Sequence, residues 1–218
     1  MAWVSEPVVV GIPNGRFLEN CWLVADPDAG EAAVIDPGEE AGRILAELAT
    51  RRWRATAIWI THAHIDHVLG VPAVRAATGA PVYLHPLDRP LYDNASEQGR
   101  WFGLAVDPLP PPDHAWAEGD RAVVGAVAFD VHHVPGHSPG HVAIVGHGHC
   151  FSGDVLFRGS VGRVDLPGGD GDALLDSIRR RLLTLPGDVV VHSGHGPDTT
   201  IAEERRGNPF LTGAALLA

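Results

Sequence analysis

Three histidines and an aspartate lie within the six positions HAHIDH, directly after the apolar run ATAIWI. Side chains two residues apart in an extended or loop segment point to the same side, so His62 and His64 can converge on one ion. Asp66 and His67 can then turn towards a neighbouring ion. Because imidazole nitrogens and carboxylate oxygens suit zinc, iron or manganese, this short segment predicts ligands for two metals.

Further candidate ligands follow predicted strands later in the chain: His137 in VPGHSPGH, Asp154 in FSGD and His195 in SGHGP. The set contains no cysteine, which argues against a closed structural zinc site and favours an open site with room for water. Asp36, in VIDPG, has two interpretations. It can accept a hydrogen bond from the N–H of a ligand histidine, or it can be a turn-forming aspartate before Pro-Gly.

Ligands so far apart in sequence require elements that bring strand ends together. Residues 1–36 predict short strands at PVVVGI, ENCWLVAD and EAAVID, separated by turns. The segment from Glu40 to Arg52 predicts a helix with Ile44, Leu45 and Leu48 on one face. The run ATAIWI predicts the strand that delivers the histidine cluster.

The downstream half predicts helices between strands. Val68–Thr78 resembles a helix, and PVYLH resembles a strand. The proline-rich residues 88–113 predict an irregular flap. Strands are then predicted within RAVVGAVAFDVHHV, HVAIVGHGHCFSG and DVVVHSG, and leucines at helical spacing from Leu174 to Leu185 predict an amphipathic helix that begins at Asp170 or Asp172.

Composition limits the classes of function. A chain of 218 residues with 45% hydrophobic residues is long enough for one globular domain spanning 1–218. The formal net charge of −11 argues against nucleic-acid or anionic-membrane partners. No apolar run approaches the ~20 residues of a membrane span, and we expect a cytoplasmic location. Cys21 and Cys150, outside any CxxC spacing, are expected to be buried thiols.

The motif HxHxDH, together with the later ligand candidates, resembles the metallo-β-lactamase superfamily from about Val34 to Pro197. The resemblance implies an α/β fold, the αββα sandwich, in which helices flank two mixed sheets and a dinuclear site lies at one edge. It also implies roles for the ligand candidates. The first metal would be held by His62, His64 and His137, the second by Asp66, His67 and His195, and Asp154 would bridge them. Asp66 would in addition be catalytic, because it can orient a metal-bridging hydroxide or accept a proton.

Three segments are similar to the compact type II glyoxalases, or hydroxyacylglutathione hydrolases: VPGHSPGH, SGDVLFRGSVGRVDLPGGD and SGHGPDTTIAEERRGNPFL. The resemblance implies that two divalent ions, zinc in the first place and otherwise iron or manganese, hydrolyse a small-molecule thioester such as S-lactoylglutathione. Few residues follow His195, whereas larger type II glyoxalases add a helical region that contacts glutathione, so the thiol carrier stays open. Arg163 is a candidate ligand for a substrate carboxylate, or else forms a structural salt bridge.

The main alternative is a persulfide dioxygenase. Such enzymes share HxHxDH, the GR.D loop and the EER..NP tail, and the resemblance to them implies a single iron held at His62, His137 and Asp154. Because SGHGP retains His195 as a ligand for a second metal, the sequence favours the hydrolase. β-Lactamase activity is less expected, since some members of that branch carry a cysteine where Asp154 stands, and the acidic charge argues against RNA processing. The oligomeric state stays open.

Overall fold

Two six-stranded mixed sheets form the centre of the fold in a computed structural model that describes residues 6–217. The first sheet has the order β1 to β6 and contains β1 (Val8–Asn14), β2 (Glu19–Asp26), β3 (Glu31–Ile35), β4 (Arg54–Trp59), β5 (Val82–Leu84) and β6 (His114–Ala115). Its strands β1, β2 and β3 pair antiparallel, and β3 to β6 pair parallel. This arrangement places β4 beside two parallel neighbours.

The second sheet has the order β14-β13-β10-β9-β8-β7. Its strands are β7 (Arg121–Val124), β8 (Val127–His133), β9 (Val142–Gly146), β10 (His149–Gly153), β13 (Val190–Ser193) and β14 (Thr199–Thr200), and a separate hairpin joins β11 (Leu156–Phe157) to β12 (Ser160–Val161). Strands β8 and β10 are both antiparallel to β9, and β10 is parallel to β13. The carboxyl ends of β8, β10 and β13 therefore meet at one edge.

Alternation along the strands creates three apolar layers. Between the sheets, Trp22 and Trp59 pack in one cluster with Phe129 and Phe151. The residues that point the other way, such as Leu23 in β2, pack in a cluster with helices on the outer face of the first sheet. A third cluster covers the outer face of the second sheet. Helix, sheet, sheet and helix thus follow one another, and the predicted αββα sandwich is confirmed.

The helices are α1 (Ala41–Arg51), α2 (Ile65–Val68), α3 (Val71–Thr78), α4 (Arg89–Asp93), α5 (Ala95–Trp101), α6 (Gly171–Ser177), α7 (Ile201–Gly207) and α8 (Pro209–Thr212). The prediction of one helix over Val68–Thr78 is wrong, because the chain breaks at Gly70 between α2 and α3. Gly70 donates its N–H to the Pro37 carbonyl, and a side chain at this position would collide with the carbonyl of Gly38. The break therefore lets two loops approach closely.

The prediction of an irregular flap over 88–113 is also wrong in its first half. A 3₁₀ turn (Pro86–Asp88) leads into α4 and α5, which bury Tyr92 and Ala95 against the first sheet's helical layer.

The amphipathic helix predicted from Asp170 or Asp172 does begin at Asp170. The Asp170 carboxylate caps α6, since it accepts a hydrogen bond from the Ala173 N–H at 3.0 Å. A π-helical turn (Ile178–Leu182) extends α6, so the helix ends before Leu185.

Candidate metal centre

The loop after β4 places two histidines close to a third from the other sheet. His62 and His64 follow β4, whereas His137 follows β8. The His64 Nδ1 and His137 Nε2 atoms are 2.8 Å apart, and the ring centre of His62 lies 4.9 and 4.8 Å from those of His64 and His137. One ligand atom from each ring lies within 4.8 Å of the others, so these three side chains, which we call the three-histidine set, could hold one ion.

Burial keeps the three-histidine set neutral. Desolvation, together with a smaller contribution from the neighbouring His137, lowers the pKa of His64 to about 3. Burial also lowers the pKa values of His62 and His137. A neutral imidazole carries the free lone pair that a metal requires, so these ligands need to lose no proton at neutral pH.

A second group forms where α2 begins. Asp66 and His67 lie in the first turn of this helix, and His195 follows β13. The His195 Nε2 atom lies 3.1 Å from Asp66 Oδ2, and the His67 Nε2 atom lies 3.7 Å from the same oxygen. We call these three side chains the second set, and their ligand atoms also lie within 4.8 Å of one another.

The second set is electrostatically different from the first. Burial opposes the charge on His67, but Asp154 and Asp66 overcome it and raise the pKa of His67 well above its usual value. Burial likewise opposes a rise at His195, yet its hydrogen bond to Asp66 and the charge of Asp154 raise its pKa. Although burial favours the neutral acid at Asp66, the neighbouring His67 and His195 lower its pKa. The neighbouring opposite charges thus favour the charged forms in the second set, whereas burial favours the neutral forms in the first.

Asp154, at the end of β10, lies between the two sets. Its Oδ1 atom is 3.4 Å from His67 Nε2, and its Oδ2 atom is 3.6 Å from both His137 Nε2 and His195 Nε2. Burial opposes its ionisation, but His67, His137 and His195 lower the pKa of Asp154 far below its usual value. A side chain at Gly194 would collide with Asp154, so glycine is required beside the carboxylate. The carboxylate thus has the position that a bridging ligand needs.

The chemistry of the unpaired atoms fits divalent metals. The Nε2 atoms of His62, His64 and His67 and Oδ1 of Asp154 are buried, and each lacks a hydrogen-bond partner among residues 6–217. A buried polar atom without a partner is energetically costly. Nitrogen and oxygen donors clustered in this way would be satisfied by bound divalent ions. The donor set is the open histidine and carboxylate type of catalytic centres. The ligand roles themselves stay predictions.

Asp36 combines both of its predicted interpretations. Its φ of 50° places it in the left-handed region after β3, so it does turn the chain. Its Oδ2 atom lies 3.1 Å from His67 Nδ1 and also accepts a hydrogen bond from Thr61 Oγ1, while Oδ1 accepts from the Thr61 N–H at 2.7 Å. These bonds orient the His67 ring so that its Nε2 faces Asp154.

Asp88 is a site residue that sequence reasoning missed. This buried carboxylate accepts hydrogen bonds from the Ala63 N–H at 2.9 Å, the Ser138 hydroxyl at 2.7 Å and the Gly140 N–H at 2.6 Å. Ala63 lies between two candidate ligand histidines, His62 and His64, and Ser138 follows a third, His137. Asp88 therefore ties together the two loops that carry the three-histidine set.

His141 was also missed, although the repeated Pro-Gly-His of VPGHSPGH is a signal for it. Its ring stacks on that of His62 with centres 4.6 Å apart, and its Nε2 accepts a hydrogen bond from the Asp154 N–H at 3.1 Å. Burial lowers its pKa, which keeps the accepting nitrogen unprotonated. His141 thus supports two candidate ligands at once.

Arg163 lies at the rim of the centre, in the loop after β12. Its guanidinium forms a two-pronged ion pair with Asp165 at 2.6 and 2.7 Å, and its carbonyl lies 2.8 Å from His137 Nδ1. The structural salt bridge foreseen as an alternative is therefore present. Binding of a substrate carboxylate by Arg163 stays a prediction.

Two further expectations concern the rest of the chain. Cys21 and Cys150 are buried free thiols, as expected. Within the described range, no helix is both long enough and apolar enough to cross a bilayer.

Comparison with known proteins gives consistent matches. Residues 14–195 match the family described as the Metallo-beta-lactamase superfamily. Hydroxyacylglutathione hydrolase GloC of Haemophilus influenzae is 38% identical over 204 residues, covering 92% of this chain and 96% of that protein.

Solved structures resemble the fold over nearly its whole length. TTHA1623 in a di-iron-bound form is 47% identical, with a TM-score of 0.86 over 93% of this chain and 100% of that one. BLEG-1 B3 metallo-beta-lactamase is 40% identical, with a TM-score of 0.89 over 94% of this chain and 100% of that one. ETHE1 from Myxococcus xanthus is 27% identical, with a TM-score of 0.80 over 94% of this chain and 85% of that one.

Proposed function

Because this chain belongs to the metallo-beta-lactamase superfamily, we propose that it is a dinuclear metal-dependent hydrolase that cleaves a thioester, with S-lactoylglutathione as the first substrate to test. The observation that carries the proposal is the position of Asp154, 3.4 to 3.6 Å from nitrogens of both ligand sets. A carboxylate within reach of both sets can be shared by two ions, whereas a single ion at His62, His137 and Asp154 would leave the contacts of Asp154 with His67 and His195 without a use.

The residues fit two divalent ions, zinc in the first place, with iron or manganese as alternatives. The three-histidine set would hold one ion, the second set the other, and Asp154 both. When bound, a pair of divalent ions lowers the pKa of water towards about 7 and polarises a carbonyl oxygen, which makes hydrolysis possible at neutral pH.

The protein's own groups would then position the reactants. Asp66 lines the cavity beside the centre, and its lowered pKa keeps it ionised, so that it can orient water and accept a proton. Because a thiolate is a good leaving group, no strong general acid is required.

Two other reactions are alternatives: β-lactam cleavage, since one similar structure is named a B3 metallo-beta-lactamase, and the persulfide dioxygenase reaction that the sequence motifs also resemble. A dioxygenase that uses one iron at His62, His137 and Asp154 would have no use for the second set. The contacts of His195 with Asp66 and Asp154 therefore favour the hydrolase.

The test is a panel of assays on one sample whose metal content has been measured. The protein loaded with zinc, iron or manganese is given S-lactoylglutathione, glutathione persulfide and a β-lactam. We expect about two metals per chain and release of thiol without oxygen uptake. Oxygen uptake with persulfide and no thioester cleavage would replace the hydrolase by the dioxygenase, and cleavage of the β-lactam alone would replace it by a lactamase.

A further inference from the structure

The cavity beside the metal centre is lined by apolar side chains as well as by candidate ligands. It has a volume of about 400 Å³. Besides imidazole and carboxylate groups, the lining includes an apolar wall that consists of Phe17, Trp101, Phe102, Phe157, Val161 and Leu166. These residues come from the β1–β2 turn, the end of α5, and the β11–β12 hairpin with the loop that follows it. Three separate segments thus contribute to one apolar wall.

Two aromatic side chains of this wall are unusually exposed. Trp101 is 52% exposed and Phe102 is 46% exposed. Phe102 packs edge-to-face on Phe17 with ring centres 5.1 Å apart, which joins the end of α5 to the β1–β2 turn across the entrance. Large aromatic side chains left in water beside a reactive centre mark a surface that buries an apolar group of the substrate.

The apolar surface continues beyond Trp101. A second cavity of about 500 Å³ shares Trp101 and Gln98 with the first. Its other lining residues include Leu87, Pro90, Leu91, Pro139 and Pro167. A substrate that reaches the metal centre can therefore place a sizeable apolar group against Trp101.

The charges near the cavity do not match glutathione. The glutathione part of a conjugate carries two carboxylates and an ammonium group. Arg163 is the one arginine among the described lining residues, and Asp165 already binds it in a two-pronged pair. Arginines next to other wall residues in sequence also have acidic partners: Arg16 has Glu39 at 2.6 Å, Arg100 has Glu97 at 2.8 Å, and Arg158 has Glu203 at the longer distance of 3.8 Å. A peptide carboxylate would have to displace one of these partners.

We propose that the site selects thioesters whose thiol half is apolar and uncharged, such as an arylalkyl or alkyl thiol, over thioesters of glutathione, and that Trp101 and Phe102 determine this preference. The inference rests on the proposed hydrolase function and names its substrate class. It predicts that the wall is a specificity element, whereas the ligands and Asp66 act on the thioester group that both classes share.

The experiment compares two esters with the same lactoyl group, the S-benzyl thioester and S-lactoylglutathione, on the metal-loaded protein. We expect kcat/KM to be about tenfold higher for the benzyl ester, which corresponds to about 1.4 kcal/mol. Trp101→Ala and Phe102→Ala should each raise KM for the benzyl ester by about fivefold to tenfold, since an aromatic contact contributes about 0.5–1.5 kcal/mol beyond its buried area. Neither variant should change KM for the glutathione ester by more than about twofold.

Val123→Ala is the matched control. Val123 is also an exposed apolar residue, at 53%, but it lies in β7 at the edge of the second sheet and does not line the cavity. This variant should leave both esters unchanged. Equal or faster cleavage of the glutathione ester by the wild-type protein, or an equal loss for both esters in the Trp101 and Phe102 variants, would overturn the inference while leaving the hydrolase function intact.

A failure to cleave either ester would overturn the proposed function instead. The inference is then decided by calorimetric binding of two thioethers, benzyl 2-hydroxypropyl sulfide and S-(2-hydroxypropyl)glutathione, which cannot be hydrolysed. Tighter binding of the benzyl compound, weakened by Phe102→Ala but not by Val123→Ala, would support an apolar specificity wall. Tighter or equal binding of the glutathione compound would refute it.

Discussion

Replacing Asp88 by alanine should loosen both the fold and the three-histidine set. Asp88 is fully buried and accepts hydrogen bonds from Ala63, Ser138 and Gly140. In the alanine variant these three donors would lose their common acceptor and remain buried without a hydrogen-bond partner. The loops that carry His62, His64 and His137 would then no longer be held in register.

The size of the effect follows from the contacts. A hydrogen bond to a charged group contributes about 1.5–3 kcal/mol, so three such bonds sum to about 5–9 kcal/mol. Burial raises the pKa of Asp88 in spite of these hydrogen bonds, because desolvation of the carboxylate outweighs their preference for its charged form, so the net loss is smaller than this sum. We therefore expect Asp88→Ala to lower the free energy of unfolding by about 3–5 kcal/mol. Asp88→Asn should cost less, because its amide oxygen can still accept from one donor.

The assay is urea unfolding of the metal-free protein, followed by circular dichroism. The control is Asp176→Ala, which removes an ion pair with Arg180 at 2.6 Å whose side chains are both more than half exposed. Such surface pairs contribute about 0–1 kcal/mol, so this control should unfold close to the wild type. Comparing the two variants separates the effect of losing buried hydrogen bonds from the effect of removing any one carboxylate.

Metal binding provides a second measurement. Loss of groups that orient ligands typically weakens metal affinity about 10-fold to 100-fold, and we expect a loss of this size for the first metal in a chelator competition. Asp88→Asn keeps the measurement possible if the alanine variant does not fold. Two results together would refute the claim that Asp88 holds the two loops together. These are wild-type metal affinity in Asp88→Asn and unfolding of Asp88→Ala at the same urea concentration as the control.

The remaining predictions concern the ligand sets and the rim. Asp154→Ala should release both metals in equilibrium dialysis and lower activity by orders of magnitude, and a variant that keeps two metals would show that Asp154 is not the bridge. His195→Ala should retain about one metal per chain and recover part of its activity in excess metal, whereas full activity without added metal would favour a single-metal enzyme. Arg163→Ala should change KM for S-lactoylglutathione by about twofold at most, because its guanidinium is engaged by Asp165; a much larger increase would restore its predicted role in carboxylate binding. Since the pKa of His67 is raised well above 6.5 in the metal-free protein, a metal must displace its proton below that pKa. As the pH falls, the affinity for the second metal should therefore weaken before that for the first, which is held by histidines whose pKa values are lowered. Simultaneous release of both metals in a pH titration would contradict this order.

Local patterns determined much of the fold and of the site. Short apolar segments separated by turn residues predicted the main strands, and the Asp170 cap was predictable because its hydrogen bond to the Ala173 N–H closes within one turn. The spacing HxHxDH predicted that the first two histidines of the motif would face one ion and that its Asp-His pair would face a neighbouring ion. The αββα arrangement itself came from the resemblance of these motifs to a family, since periodicity does not determine how two sheets stack.

The flap prediction failed because prolines were interpreted as breaking regular structure. Pro86 and Pro90 instead occupy the first turn of short helices, where the missing N–H costs nothing. Helices this short are unstable alone and form here because Tyr92 and Ala95 are buried in the core. That burial is a tertiary contact, so no pattern within 88–101 could reveal it.

Only the tertiary structure decided which groups hold the ligands in place. Asp36 meets His67 across 31 residues, and Asp88 meets Ala63 and Gly140 across 25 and 52 residues. The sequence left two interpretations open for Asp36 and did not say which histidine it would meet, and it gave no signal for Asp88. A buried carboxylate is satisfied by whichever donors the packed sheets and loops bring within about 3 Å, and this distance is fixed by the fold and not by spacing along the chain.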